Sequence, residues 1–324
     1  MTCEGGVSLS SDAIPTVIPQ VLTRLNRLDT AYTYEFRITA QGQTRDIKRE
    51  DVEELGRTFL SAELAPALAA ARFEPAESER ACRVTFTKRK VDVKEAELEE
   101  LMLARIHHRN SRIPDEVWDR FAFGDCRTKR ARALERHYPD FRKIAGRPGA
   151  HHWAMFAYDI DEDGVPQHVQ IVDSTGSDEL EEAGRMALTA GRFHEEPRTG
   201  CRHYYWKNPV LTRAPERPDM ASYGESPEAY DVDDRWETEP TLRFARSNER
   251  RGIEGWAVLR YDVAPWGVIG NVEVLDVQPT SEFGAHAASV LRSAKFKPRE
   301  GGLSGCLDRV SFRLPDSSYE HEEE

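Results

Sequence analysis

The chain has 324 residues, a formal net charge of −12, 31% charged residues and 39% hydrophobic residues. This length predicts roughly two or three domains, and no stretch approaches the roughly 18 apolar residues that a membrane span needs. The negative net charge argues against nucleic acid as the main partner, because binding to phosphates requires a basic surface. The N-terminus has no apolar signal core, as expected of a cytosolic chain or of one whose leader has been removed.

Three stretches of the chain share a phrase in which a basic residue and a phenylalanine are followed, after a polar loop, by a cysteine. The three pairs are Phe73 with Cys82, Phe193 with Cys201, and Phe296 with Cys306. A phrase that occurs three times predicts a structural unit that occurs three times.

An antiparallel hairpin is predicted before each of these phenylalanines. Apolar residues alternate with polar or mixed ones as far as a glycine, and a second alternating stretch follows. This alternation is typical of half-buried strands, and glycine accepts the positive φ of a tight turn. The turn glycines are Gly42, Gly164 and Gly267, and the inward positions before them are Tyr32, Tyr34, Phe36 and Ile38; Ala154, Phe156, Tyr158 and Ile160; Ala257, Leu259, Tyr261 and Val263.

A helix is predicted after each hairpin. Apolar or small residues recur at i, i+4, i+7, i+8 and i+11 from Leu60, Leu180 and Phe283, which places them on one helical face. The phenylalanine closes the end of the helix, a short strand follows each cysteine, and a further helix precedes each unit, as at 17–28. The predicted fold class is α+β: three tandem small domains, each a three-stranded antiparallel sheet with helices packed on one face, in α-β-β-α-β order.

The register of the repeat sets the predicted domain boundaries. The units cover 4–90, the most divergent copy, then 112–207 and 241–315. A charged amphipathic helix at 91–111 is expected to pack between the first and second units. The stretch 208–240, which is rich in proline and acidic residues, is expected to be an extended, mobile connector. The first two units would then form a rigid pair, with the third attached loosely.

Two of the units carry further marks, which lie ahead of the first strand, at the hairpin turn and at the end of the helix. These are Tyr138, Pro139 and Gly164 in the second unit, and Gly267, Phe296 and Pro298 in the third. In this order they resemble the TonB C-terminal domain family, and the first unit is connected with that family through its likeness to the other two. The resemblance implies a periplasmic, non-enzymatic domain without a cofactor, which captures a short extended peptide by strand addition. In energy-transducing members, that peptide is the N-terminal box of an outer-membrane receptor.

The chain departs from the energy-transducing members of that family in several respects. It has no membrane helix and no long spacer of Pro-Lys or Pro-Glu, and it has three units instead of one. Glu135, Arg136 and His137 stand where transducers often have glutamine-rich sequence. Because the first two departures remove direct coupling to an inner-membrane motor, the fold is expected to transfer and the energy-transducing role is not.

The peptide-binding hypothesis concerns the last strand of a unit, because an edge strand offers unpaired N–H and C=O groups to a partner strand. The third unit is favoured, since it has the strongest family pattern. The candidate residues are Leu307, Arg309, Val310, Ser311, Phe312 and Arg313 there, with Val84 and Phe86 in the first unit.

The expected partner is a protein or extended peptide of the cell envelope, for example a TonB-dependent receptor. The alternative function is a structural or assembly protein of the envelope, whose sheet edges are already used between domains or between copies of the chain. An enzyme or a metal carrier is a third possibility.

Two disulfides are predicted from the same register. Cys3 and Cys126 are 123 residues apart, which is one more than the offset of 122 between the first two units. The economical pairs are Cys3–Cys82 and Cys126–Cys201, and disulfides indicate an oxidising compartment such as the periplasm. Two alternatives stay open: all five cysteines are ordinary buried thiols, or Cys3 is the first residue of a mature lipoprotein.

The sequence contains only weak signals of catalysis or metal binding. The chain lacks the sequence motifs of a nucleophile elbow, a zinc protease helix and a phosphate loop, so catalysis is not expected. The histidines at 152, 168, 194 and 203 could meet at a metal, but we expect no metal site; the acidic stretch from Asp159 suits a hairpin turn better than a calcium loop, because it lacks the acidic twelfth ligand.

Two charge runs remain. The basic run 127–136 is either a solvated face or a docking patch for an acidic partner or anionic lipid. The acidic end, 316–324, is expected to be a disordered tail.

Overall fold

The computed structural model of the protein describes residues 1–4, 9–10, 12–19, 31–50, 61–107, 115–121, 123–129, 131–227 and 234–315. The chain forms two compact units. Unit 1 contains Ala31–Thr87 and Leu211–Pro315, and unit 2 is built mainly from Lys88–Val210. No helix in the described ranges is long and apolar enough to cross a membrane.

The first module, in unit 1, is a small antiparallel sheet with a helix on one face. Its elements are β1 (Thr2–Cys3), β2 (Ala31–Ile38), β3 (Thr44–Arg49), α1 (Leu64–Ala70) and β4 (Arg80–Thr87), and the strand order is β1-β4-β2-β3. The predicted inward positions of β2, from Tyr32 to Ile38, are buried. The short strand β1 was not predicted. Most of the helix predicted at 17–28, and Leu60, lie outside the described residues.

The second module, in unit 2, has the same central hairpin and last strand with more helices around them. Its elements are α2 (Leu98–His107), α3 (Asp115–Phe121), α4 (Gly124–Thr128), β5 (Ala133–Glu135), β6 (His152–Ile160), β7 (Pro166–Ser174), α5 (Asp178–Ala190), β8 (Arg192–Phe193) and β9 (Arg198–Lys207). Strands β7, β6 and β9 form a sheet in that order, and β5 pairs with β8.

Helices cover both faces of the second sheet. Phe156 and Leu188 belong to the core between the sheet and α5. On the opposite face, Trp153 and Met155 pack against a second core that includes Met102 of α2. The predicted α+β class is confirmed, with the difference that this module has helices on two faces instead of one.

The third module, in unit 1, repeats the arrangement. Its elements are β10 (Trp236–Thr238), α6 (Arg246–Arg251), β11 (Gly255–Val263), β12 (Ile269–Gln278), α7 (Ser281–Ser293), β13 (Lys295–Phe296) and β14 (Leu303–Phe312). The sheet order is β12-β11-β14, and β10 pairs with β13. Phe283 and Leu291 of α7 are buried, as the helical periodicity predicts.

The three modules place their marker residues in the same geometry. In each, the phenylalanine N–H donates to the carbonyl of the turn glycine at 2.9 Å: Phe73 to Gly42, Phe193 to Gly164, and Phe296 to Gly267. Each glycine has positive φ, and a Cβ there would lie 1.9, 2.2 or 2.0 Å from the phenylalanine carbonyl oxygen. Only glycine therefore fits the turn.

The last strands also share one register. Opposite the cysteine of the last strand lies an aromatic residue of the hairpin: Phe36 with Cys82, Tyr158 with Cys201, and Tyr261 with Cys306. The ring of that residue lies 6.4, 5.4 or 6.2 Å from the phenylalanine of its own module. The repeated phrase in the sequence thus corresponds to a repeated structure.

The expected pairing of units is corrected by the structure, which joins the first and third modules in unit 1. The N–H of Ile47 donates to the carbonyl of Pro279 at 2.9 Å, and Arg250 forms an ion pair with Glu63. The third module is therefore packed against the first instead of being loosely attached.

The predicted mobile connector is corrected as well. Its described residues pack on the third module: Trp236 lies 4.5 Å from the ring of Phe296, and Trp256 Nε1 donates to the carbonyl of Pro215 at 2.9 Å.

Candidate functional site

Within the described residues, strand β14 pairs with β11 alone and so lies at an edge of the third sheet. The N–H of Leu307 donates to Ser226 Oγ, which lies outside the sheet, at 3.0 Å. Main-chain groups alternate along an antiparallel strand between the neighbour and the outside, so Arg309 and Ser311 also direct theirs outward. Within the described residues, no main-chain hydrogen bond joins these two residues to a segment outside the sheet. The predicted edge is therefore present. The first outward N–H along it, that of Leu307, is capped, which means that it already has a hydrogen-bond acceptor in Ser226.

Two predicted pocket residues do not face a partner. Phe312 is fully buried and packs 5.1 Å from the ring of Phe283. Val84 is 6% exposed and belongs to the first core. Both residues alternate with polar neighbours along their strands, and both side chains point into the core. The hypothesis that these side chains line a peptide pocket is therefore wrong. Val310 and Ser311 are partly exposed, and Arg313 is exposed just after the strand.

The edge of β4 in the first module is partly used. Strand β1 pairs with it at Cys82 and Arg83. Phe86, the other predicted residue of this edge, lies 6.0 Å from the ring of Tyr34. An added strand could therefore pair only beyond Arg83.

A strap, residues 215–226, crosses the face of the third sheet opposite α7. It is fixed by polar contacts with three strands, among them Pro218 carbonyl with Arg309 Nη1 at 3.2 Å, Tyr223 carbonyl with Arg260 Nη2 at 3.0 Å, and Tyr223 hydroxyl with Asp276 Oδ2 at 2.6 Å. The strap ends at Ser226 on the edge of β14. Sequence reasoning missed it, because its prolines and acidic residues are typical of a solvated linker.

Both predicted disulfides are present, Cys3–Cys82 and Cys126–Cys201. Five free thiols are therefore excluded. A lipidated Cys3 is excluded as well, because the sulfur of Cys3 is bonded to Cys82. Cys306 is free and buried. Burial and the nearby Asp308 carboxylate raise the pKa of Cys306 to about 11, so this thiol stays protonated at neutral pH.

The last strand of the second module borders a cleft of about 410 Å³. Residues 201–206 of β9 line it continuously, so the cleft follows the strand. One wall comes from α2 and α3, and the other comes from the segment before β6. The lining includes Arg105 and Trp118 on the first wall, Arg136 and Tyr138 on the second, and Tyr158, Leu188 and Phe193 toward the core.

The charge of this cleft is positive. Arg105 stacks on Trp118 at 4.9 Å, and the guanidinium of Arg202 lies 3.9 Å from the ring centre of Phe123. In the part of the chain that the structure describes, Arg105, Arg136 and Arg202 have no carboxylate partner. Burial, helped by Arg136, lowers the pKa of His203 to about 4, so its ring is neutral at neutral pH.

The family-motif residues have structural positions. The Tyr138 ring lies 6.4 Å from that of Tyr205, whose hydroxyl donates to the carbonyl of His137 at 3.1 Å. Pro139 and Phe296 are buried, whereas Pro298 is exposed after β13. Gly164 and Gly267 form the hairpin turns, Phe296 and Pro298 follow a helix, and Tyr138 and Pro139 precede β6, so none of these residues lies on β14.

The other sequence signals have local explanations. Asp161 Oδ1 accepts hydrogen bonds from the N–H groups of Asp163 and Val165, which is the predicted hairpin turn. In the basic run, Arg127 pairs with Asp119 and Lys129 with Glu196. Arg130 lies outside the described residues, and no cluster of three or more metal-ligating side chains occurs within them.

Comparison with known families matches residues 240–312 to the C-terminal region of the Gram-negative bacterial TonB protein. The match runs from the segment before α6 to the end of β14 in the third module, and it supports the resemblance at this one region.

Among solved structures, the chain is similar to the solution NMR structure of the Pseudomonas aeruginosa TonB CTD. Identity is 21%, with coverage of 26% of this chain and 91% of that chain, and the TM-score is 0.24. No curated protein matches the chain.

Proposed function

We propose that this protein is a non-enzymatic, periplasmic binding protein made of three TonB C-terminal-like domains. It captures an extended segment of an envelope protein, such as an outer-membrane transport protein, by adding that segment as a strand to β14. The family match over 240–312 supports this function, because it covers the whole of β14. The two disulfides support an oxidising compartment.

The observation that carries the proposal is the outward main chain of Arg309 and Ser311 on an edge strand. A partner strand would complete the ladder there, and each such hydrogen bond contributes about 0.5–1.5 kcal/mol net. The side chains of Val310 and Arg313, which are at least partly exposed, would provide selectivity.

A second candidate function is a structural or assembly role in which the sheet edges are used within the protein. Two contacts favour it: β1 pairs with β4, and Ser226 caps Leu307. In both modules, the chain itself occupies the start of the edge that a partner strand would need.

The test is an NMR titration of the full chain with peptides from the N-terminal boxes of outer-membrane receptors. We expect chemical-shift changes along 306–314 in proportion to occupancy. The control is the same peptide with proline at alternate positions, which removes the N–H donors of one edge. Unchanged signals across 306–314 at saturating peptide would contradict strand capture at β14.

A further inference from the structure

The cleft follows β9, the last strand of the second module. This strand corresponds to β14, the proposed binding edge of the third module. Arg202, Tyr204 and Trp206 stand one, three and five residues after Cys201, as Leu307, Arg309 and Ser311 do after Cys306. All three line the cleft. A segment that enters the cleft would therefore lie alongside the last strand of the module.

The two sides of β9 offer different chemistry. Toward α5, the cleft reaches Tyr158, Leu188 and Phe193, which are apolar or aromatic core residues. Toward α2 and α3, it is lined by Arg105 and Trp118. Side chains of a strand alternate between the two faces, so an occupant that fits both sides has two kinds of residue in alternation.

The charge of the occupant follows from the arginines. Arg105 Nε is buried without a hydrogen-bond acceptor, and neither Arg202 nor Arg136 has a carboxylate partner in the described part of the chain. Among the described lining residues, the one carboxylate is that of Glu135, which already accepts from His137 Nε2 at 2.9 Å. In a chain of net charge −12, three guanidinium groups left without carboxylates indicate an anionic occupant.

We propose that this cleft binds an extended acidic peptide segment in which Asp or Glu alternates with apolar or aromatic residues. The acidic side chains pair with Arg105 and Arg202, the apolar ones enter the pocket toward Phe193, and Arg136 on the second wall adds to the positive charge of the cleft. The six residues of β9 that line the cleft correspond to a segment about 20 Å long, at about 3.4 Å per residue. This inference rests on the proposed function and adds a second site with its own partner chemistry.

The direct test uses a fluorescein-labelled peptide of alternating Asp and Leu residues, titrated into the full chain and followed by fluorescence anisotropy. Trp118 and Trp206 line the cleft, so their fluorescence gives a label-free second signal. We expect saturable binding that weakens with added salt, and NMR shifts at 201–206. A peptide with Lys in place of Asp should not bind. A peptide of the same composition with all Asp residues before all Leu residues should bind more weakly.

Variants locate the site. Arg136→Glu and Arg202→Glu should each weaken binding by about tenfold or more, because an attractive charge becomes a repulsive one. Arg202→Gln is the milder variant if Arg202→Glu unfolds the module, and thermal melts decide this. The matched control is Arg132→Glu, an exposed arginine of the same segment that does not line the cleft.

Several results would overturn the proposal: equal affinity of the Lys peptide, equal affinity of the block-ordered peptide, or full affinity in both arginine variants. Displacement of the peptide by an equal concentration of inorganic phosphate would also overturn it, since the site would then bind small anions. Shifts at 201–206 with the Asp/Leu peptide, together with none at 306–314 with the receptor-type peptides, would support the cleft and contradict the β14 proposal. The reverse pattern would do the opposite.

Discussion

The second and third modules have the same strand register and differ in what covers the outer face of their sheets. In the second module, α2 and α3 pack on that face through an apolar core around Trp153 and Met102. In the third, the strap covers it through polar contacts and ends at Ser226 on β14. The difference shows that segments outside the repeat decide what surrounds each edge. One edge opens into a charged cleft, and the other is capped at Leu307.

The largest expected effect is on the free energy of unfolding, when a contact that holds α2 or the strap against its sheet is removed. Met102→Ala should lower the free energy of unfolding of unit 2 by about 2–5 kcal/mol, because it leaves a cavity in an apolar core. Tyr223→Phe removes one hydrogen bond of the strap to a carboxylate and should cost unit 1 about 1.5–3 kcal/mol. Chemical denaturation measures both, and Met186→Ala, at a methionine that is 57% exposed, is the matched control. Equal losses for Met102→Ala and Tyr223→Phe would contradict the contrast.

Two buried groups, one in each unit, should also respond to pH in opposite directions. Burial and the Glu63 carboxylate, opposed by Arg49, raise the pKa of Glu282 to about 8 from 4.5. The folded state then binds the proton more tightly, so this stabilisation is complete below pH 4.5 and is lost as pH rises through about 8. His203 is the reverse case: its pKa is lowered to about 4 from 6.5, so its contribution is present above pH 6.5 and is lost as pH falls through about 4.

Hydrogen-exchange protection factors at α7 and β9 measure this contrast between pH 5 and pH 8. Protection at α7 should fall toward pH 8, and Glu282→Gln should flatten that change. Protection at β9 should fall toward pH 5, and His203→Gln should flatten it. A parallel response of α7 in the wild type and in Glu282→Gln would show that Glu282 is not the responsible group.

The smallest expected effect concerns the cap on β14. Ser226→Ala removes the side-chain acceptor of Leu307 N–H and should raise the affinity for a β14-binding peptide by about two- to tenfold, the value of one hydrogen bond. Ser222→Ala is the matched control, because the Ser222 hydroxyl donates to the carbonyl of Asp219 within the strap. Unchanged or weaker binding to the Ser226→Ala variant, measured by calorimetry, would mean that Ser226 does not compete with the peptide.

The fold was largely predictable, because its signals are local. Alternation up to Gly164 and Gly267 predicts the hairpins, and helical spacing from Leu180 and Phe283 predicts the helices that follow. The packing of the first module on the third was not predictable. It depends on single contacts between distant residues, such as Ile47 with Pro279, which leave no periodic pattern in the sequence.

The candidate sites were less predictable than the fold. Position at the edge follows from the strand order, so β14 could be proposed from the sequence, but its cap depends on Ser226, 81 residues away from Leu307. The cleft combines Arg105, Arg136 and Arg202 from three separate segments. The basic run 127–136 was the one local signal, and Arg136 is its member that lines the cleft.

The outer edge of β14 is tested most directly by residue-resolved amide hydrogen exchange of the full chain without any peptide. The strand order predicts slow exchange at Asp308 and Val310, which pair with Leu259 and Ala257 of β11, and fast exchange at Arg309 and Ser311. Uniformly slow exchange from Cys306 to Phe312 would show that another strand already occupies this edge. That result would contradict peptide capture at β14 and favour the assembly role.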